Sequence, residues 1–176
     1  MKRSYFYDDL GIATVLLSHG LGIRTMMDVL GRIYETDRLL LEPEYKNDKR
    51  AFFSAVLYWT DYLVDKVQFD REFPAVRKDL EHVGASSNQV WQDDYDVELF
   101  FLNVRLRILY LDAQDFVRIK LRTLLARYGY RRRSPQLMDH LQVCMEAYQI
   151  QPYLKGGIPC DLRNIRLDDM ISFRVR

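Results

Sequence analysis

The clearest signal along the chain is a helical stripe. Phe52, Ala55, Val56, Trp59, Tyr62, Leu63 and Val67 recur at the spacing of one helix face, and Asp48 stands where an N-cap belongs. This predicts a helix over about 48–67. Met26, Met27, Leu30 and Ile33 predict another over 25–34, after a turn containing Gly20 and Gly22. A shorter helix is expected from Pro74, a residue favoured in a first turn, to Gly84. The run Gly84-Ala85-Ser86-Ser87-Asn88-Gln89 then reads as a loop, and an acidic stretch, Asp93-Asp94-Tyr95-Asp96, follows it.

Beyond the loop the period changes. Leu102, Val104, Leu106, Ile108 and Tyr110 alternate with Asn103, Arg105 and Arg107, which predicts a strand. Asp112 then heads an expected helix over 113–128, with Val117, Leu121, Leu124, Leu125 and Tyr128 on one face and Gly129 as its stop. Ser134-Pro135 is a strong helix start, and Met138, Leu141, Cys144, Met145 and Tyr148 form the buried face of the helix it opens. Residues 150–154 look extended, 155–159 form a turn or wing, and 170–175 alternate as a closing strand. The prediction is a mainly helical α+β protein: a helical part over 1–84, a linker over 85–96, and a winged-helix-like part over 97–176, consisting of a helix-turn-helix with a small antiparallel sheet. This resemblance to a winged helix is one of element order.

Length and composition agree with a folded chain. The 176 residues, 48% hydrophobic and 29% charged, suffice for a core without metal or disulfide staples. Two cysteines, Cys144 and Cys160, are too few for a disulfide framework. The most apolar early stretch, Leu10 to Ile23, is broken by Ser18, His19, Gly20 and Gly22 and is too short to span a bilayer. A cytoplasmic protein without a membrane partner is expected.

Charge changes the picture. Residues 1–100 hold 12 Lys+Arg against 18 Asp+Glu, whereas residues 101–176 hold 14 against 7. A basic half suits a polyanion, and it equally suits pairing with the acidic half, with a second copy or with another protein. Within it, Arg118, Lys120, Arg122 and Arg127 precede the turn, Arg131, Arg132 and Arg133 fill it, and Tyr128 and Tyr130 interleave. Guanidinium groups pair with phosphate in a fork, and tyrosines stack on bases or sugars. Arg163, Arg166 and Arg174 lie near the wing. The second helix of the pair should expose Gln136, Asp139, Gln142, Val143 and Glu146, and two acids on that face repel phosphate. Backbone contact with a steep salt dependence is therefore expected, rather than base reading.

The function these residues predict is non-enzymatic binding of nucleic acid, DNA in the first instance. The nucleic-acid-binding residues are Arg118, Arg122, Arg127, Tyr130, Arg131, Arg132, Arg133, Arg163 and Arg166, and no cofactor or metal is called for. One alternative is a protein-interaction or self-associating subunit, to which the 12 tyrosines and the helix over 48–67 would contribute. Another rests on Arg133 and His140, whose spacing resembles the motif of HEPN-type ribonucleases. That resemblance implies metal-free RNA cleavage, with His140 as acid or base and Arg133 holding the phosphate. HEPN domains are helical bundles, from which the strand expected at 102–110 departs.

Three weaker patterns are also present. His140, Cys144 and Cys160 lack the paired spacing of structural zinc ligands. Glu44-Tyr45-Lys46 after Leu39-Leu40-Leu41, with Asp28 upstream, resembles the PD-(D/E)xK nuclease pattern, but Pro43 inside the supposed strand favours a loop. Gly20-Leu21-Gly22 lacks the third glycine and the preceding strand of a dinucleotide loop, and His19 beside it reads as a turn or core residue.

Overall fold

The computed structural model describes residues 6–66, 89–127 and 129–176, and the chain divides into two compact units, Met1–Gln92 and Asp93–Arg176. The helix expected over 74–84, residues 85–88 of the expected linker, Val67 and Tyr128 lie outside the described residues.

The first unit is built on α1 (Asp9–Ser18), α2 (Ile23–Thr36) and α3 (Lys49–Lys66). Leu10 to Leu16 of α1 are buried all round, so this helix has no polar face and no amphipathic signal in the sequence. Asp8 caps it by accepting from the Gly11 N–H. At its other end Gly20, at φ 64°, lets the chain leave the helix. α1 and α2 both pack against α3. Asp48 caps α3 by accepting from the Ala51 N–H at 2.8 Å. The core stripe of α3 is Phe52, Val56, Thr60 and Leu63, while Trp59 and Tyr62 stand half-buried at its edge. Met27 of α2, expected in the core, is exposed, and Val29 takes a core place instead. Residues Arg38–Leu40 form one 3-10 turn, Leu41 bridges to Tyr7, and residues 43–47 turn. The strand needed by the nuclease-like pattern at 39–46 is therefore absent.

The second unit differs from expectation at its start. The strand predicted at 102–110 is the end of a helix, α4 (Gln89–Leu106), followed by a π-helical turn, Arg107–Leu111. The alternation misled because α4 is buried on several sides. Val97, Leu99, Phe100, Phe101, Leu102, Val104 and Leu106 are all in the core. Arg105 is buried with them, and its Nη1 donates to the Tyr148 carbonyl at 2.8 Å. The π turn is closed by the Asp112 N–H on the Arg107 carbonyl (2.7 Å) and by an ion pair between the same two side chains.

The expected helix over 113–128 is likewise two elements. β1 (Val117–Lys120) buries Val117 and Ile119 and exposes Arg118 and Lys120; α5 (Leu121–Arg127) follows at once. The helix expected after Ser134 and the extended segments at 150–154 and 170–175 agree with the structure. α6 (Pro135–Ala147) starts on the Ser134 cap and buries Met138, Leu141, Cys144 and Met145, with Tyr148 buried at its C-cap. β2 (Ile150–Leu154), β3 (Ile158–Pro159) and β4 (Met170–Val175) complete an antiparallel sheet in the order β1-β4-β2-β3. The first strand thus pairs with the last, with Arg118 opposite Ser172 and Ile119 opposite Ile171. Phe173 anchors the sheet's inner face, edge-on to Phe100 and Phe101 of α4 at 5.7 Å each.

Candidate nucleic-acid interface

The turn between α5 and α6 is shaped by Gly129, whose φ of 79° belongs to the left-handed region. The Gly129 N–H donates to the Ala126 carbonyl and the Tyr130 N–H to the Leu125 carbonyl, the paired bonds of a Schellman stop. On the far side, Ser134 accepts from the Leu137 N–H at 3.1 Å. Both ends being closed, Arg131, Arg132 and Arg133 are held in a short exposed bridge.

These arginines do different work. Arg133 Nη1 donates to the carbonyls of Leu162 and Arg163 (3.1 Å each) and of Ile165 (2.5 Å). It ties the 160–169 loop to the start of α6, with Leu162 and Ile165 buried beneath. Arg131 and Arg132 are exposed, with no acidic partner among the described residues. Tyr130 is half-buried beside Arg122, Arg131 and Leu167 in a depression of about 440 Å³.

The remaining expected contacts divide by partner. Arg122 grips Asp168 through two bonds, 2.8 and 2.9 Å, and each raises the charged fraction of the other: hydrogen bonding holds the Asp168 carboxyl below its usual range and lifts Arg122 above its own. Arg163 bonds Asp139 on α6 at 2.5 Å and also meets Asp161. Arg174, on the inner strand β4, pairs with Asp115 ahead of β1. Arg166 is exposed, and its backbone N–H donates to Asp169. Arg118 lies on β1 rather than on a helix, its Nε donating to Ser172 Oγ and its guanidinium over the Phe116 ring. Lys120 is also on β1, and Arg127 ends α5.

Every carboxylate between 101 and 176 is thereby occupied: Asp112 by Arg107, Asp115 by Arg174, Asp139 and Asp161 by Arg163, Asp168 by Arg122, Asp169 by a backbone N–H, and Glu146 by Gln142. Arg118, Lys120, Arg127, Arg131, Arg132 and Arg166 make no ion pair with a described acid, and all are exposed. The outward side of α6 carries Asp139 under Arg163 and Glu146 bonded to Gln142, so its polar groups are already engaged.

His140 is half-buried, with Nε2 3.7 Å from Cys144 Sγ one turn along α6, and neither this contact nor those of Arg133 joins the two residues of the ribonuclease-like pair. Among the described residues no three His, Cys, Asp or Glu side chains converge as metal ligands. Burial, and then Asp161 and Asp169, push the Cys160 thiol up, which favours its protonated form. No described helix is long and apolar enough to cross a membrane.

Comparison with protein-family models, with curated proteins and with solved structures finds no match to this chain.

Proposed function

We propose that the protein is a non-enzymatic nucleic-acid-binding protein whose winged-helix-like C-terminal unit holds duplex DNA by its phosphate backbone. One observation carries this reading: after all seven carboxylates of residues 101–176 have found partners, exposed arginines are left over on the α5–α6 turn. Unpaired guanidinium groups on a rigid bridge suit phosphate oxygens. The element order, and a sheet in which the first strand lies beside the last, support the winged-helix likeness. Asp139, covered by Arg163, and Glu146 argue against base reading by α6. Cys144 and Cys160 are not joined by a disulfide, which suits a cytoplasmic setting.

The test is fluorescence anisotropy with a labelled DNA duplex and a matched RNA strand, at low and moderate salt. Wild type should bind the duplex with steep salt sensitivity, and Arg131→Ala/Arg132→Ala should bind it more weakly and with less salt sensitivity. Absence of binding at low salt by the folded protein would overturn the proposal.

A second reading, a protein-interaction subunit, is favoured by the surface of α3. Tyr58 and Val64 are 63% and 62% exposed, and Tyr58 contacts Trp59 and Tyr62 in an aromatic cluster. Tyr58→Asp/Val64→Asp should then reduce the molar mass measured by light scattering, while a monomeric wild type would remove self-association.

A further inference from the structure

A second basic feature lies away from the α5–α6 turn. β1 is one edge strand of the sheet, and beside it a cleft of about 410 Å³ runs between the end of α4 and α5. Its volume falls within the range of small-ligand sites. Four cations from three elements converge on it: Arg107 after α4, Arg118 and Lys120 on β1, and Arg127 at the end of α5. Arg107 is neutralised by Asp112, and no carboxylate lines the cleft. The Arg118 guanidinium is turned to Ser172 and the Phe116 ring, which leaves Lys120 and Arg127 as the cations of the lining without a bonded partner there.

The rest of the lining is of another kind. Phe100, Val104, Val117 and Ile119 contribute an apolar floor. Among them the Asn103 side-chain oxygen is buried and has no hydrogen-bond partner among the described residues. A buried carbonyl oxygen left unpaired is costly, so a bound hydroxyl or amino donor there is favoured. If the amide is turned, the same position offers a donor instead.

We propose that this cleft is a nucleotide site, taking a nucleoside phosphate either free or as one unit of a strand. The phosphate meets Lys120 and Arg127, the base lies on the apolar floor, and Asn103 engages a hydroxyl or ring-edge group. A bare anion would use the cations and leave the floor and Asn103 unsatisfied. An apolar ligand would leave the cations without counter-charge. A nucleotide answers both halves of the lining. The site goes beyond the duplex contact proposed above and shares neither Arg131 nor Arg132 with it.

The test uses the full chain and calorimetric titration at low salt with adenosine and uridine 5′-monophosphate, with inorganic phosphate, and with a single-stranded oligodeoxythymidine. Three variants are compared with wild type: Lys120→Ala/Arg127→Ala, Asn103→Leu and Arg131→Ala/Arg132→Ala. Lys120 and Arg127 are exposed, and circular dichroism should show both fold and melting unchanged in their double variant. The monophosphates should bind, roughly tenfold to hundredfold more weakly in Lys120→Ala/Arg127→Ala, as expected for lost charge-assisted bonds, and equally well in Arg131→Ala/Arg132→Ala. Asn103→Leu should weaken the nucleotides without changing inorganic phosphate. If only the oligonucleotide depends on Lys120 and Arg127, the site holds a unit of a strand. If neither monophosphate nor oligonucleotide depends on them, the site is overturned, and a loss confined to Arg131→Ala/Arg132→Ala leaves the duplex proposal standing alone. Equal affinity for inorganic phosphate and the monophosphates overturns the nucleotide assignment.

Discussion

Arg133 differs from its two neighbours only in what folds back to meet it. Three carbonyls of the 160–169 loop converge on one nitrogen of its guanidinium, so this arginine is a clamp. Arg133→Ala should cost about 1–2 kcal/mol in urea unfolding, because a charged donor to several carbonyls is lost. Arg131→Ala/Arg132→Ala should stay within about 0.5 kcal/mol of wild type, as exposed positions without partners do. Equal losses in both would contradict the division of labour among the three. In the first unit, Glu42 is lifted from 4.5 to about 7, by burial first and then by Asp8, Asp9 and Glu44. A carboxyl raised by folding is protonated in the native state while the unfolded chain has already released its proton. The stability this contributes is complete below about 4.5 and is lost as pH rises through about 7. Glu42→Gln should therefore melt with wild type at pH 4 and above it at pH 8. A constant difference across that range would mean that Glu42 is not the group responsible.

At the scale of elements, the α5–α6 corner depends on two local devices, the left-handed Gly129 and the Ser134 cap. Ser134→Ala should cost about 1 kcal/mol by leaving a first-turn N–H without its acceptor. Gly129→Ala should cost about 1–2 kcal/mol, since a Cβ is disfavoured at φ 79° although nothing lies within 4 Å to clash with it. Both are measured by denaturant midpoint at constant slope. Ser134-Pro135 was legible in the sequence because caps are local chemistry, and so was the buried face of α6. The α4 helix and β1 were not. The side chains of 102–107 alternate in polarity, but Arg105 is buried in the helix by a carbonyl 43 residues away, a partner no local pattern contains. β1 reads Val-Arg-Ile-Lys and continues into α5 without a break, so its Val117 fell in phase with the apolar face of the following helix. What makes it a strand is pairing with β4, 50 to 56 residues later in the chain.

For the whole molecule, the uneven charge of the two halves is the property with the widest consequence. Acids of the second unit pair with arginines of the same unit, as Arg122–Asp168, Arg163–Asp139 and Arg174–Asp115 show. The excess left on its surface sets the salt response of any polyanion complex. Each phosphate neutralised on duplex DNA adds about 0.9 to the slope of log affinity against log salt. Removing Arg131 and Arg132 should therefore flatten the slope by about 2, as measured over a salt series by anisotropy. An unchanged slope would place the phosphate contacts elsewhere.

The sequence by itself determined the three long amphipathic or capped helices, the extended segments at 150–154 and 170–175, the exposed arginine turn and the basic bias of the second half. These follow from periodicity, capping residues and composition, which are written in neighbouring positions. Tertiary structure alone decided that Arg122, Arg163 and Arg174 meet acids of their own unit, that Arg133 meets three carbonyls, and that Arg118 and Lys120 sit on a sheet edge. It also decided that Arg107, Asn103 and Arg127 share a cleft with them. Each of those facts depends on a partner distant in sequence, and a charge reveals its role only when the group that meets it is known.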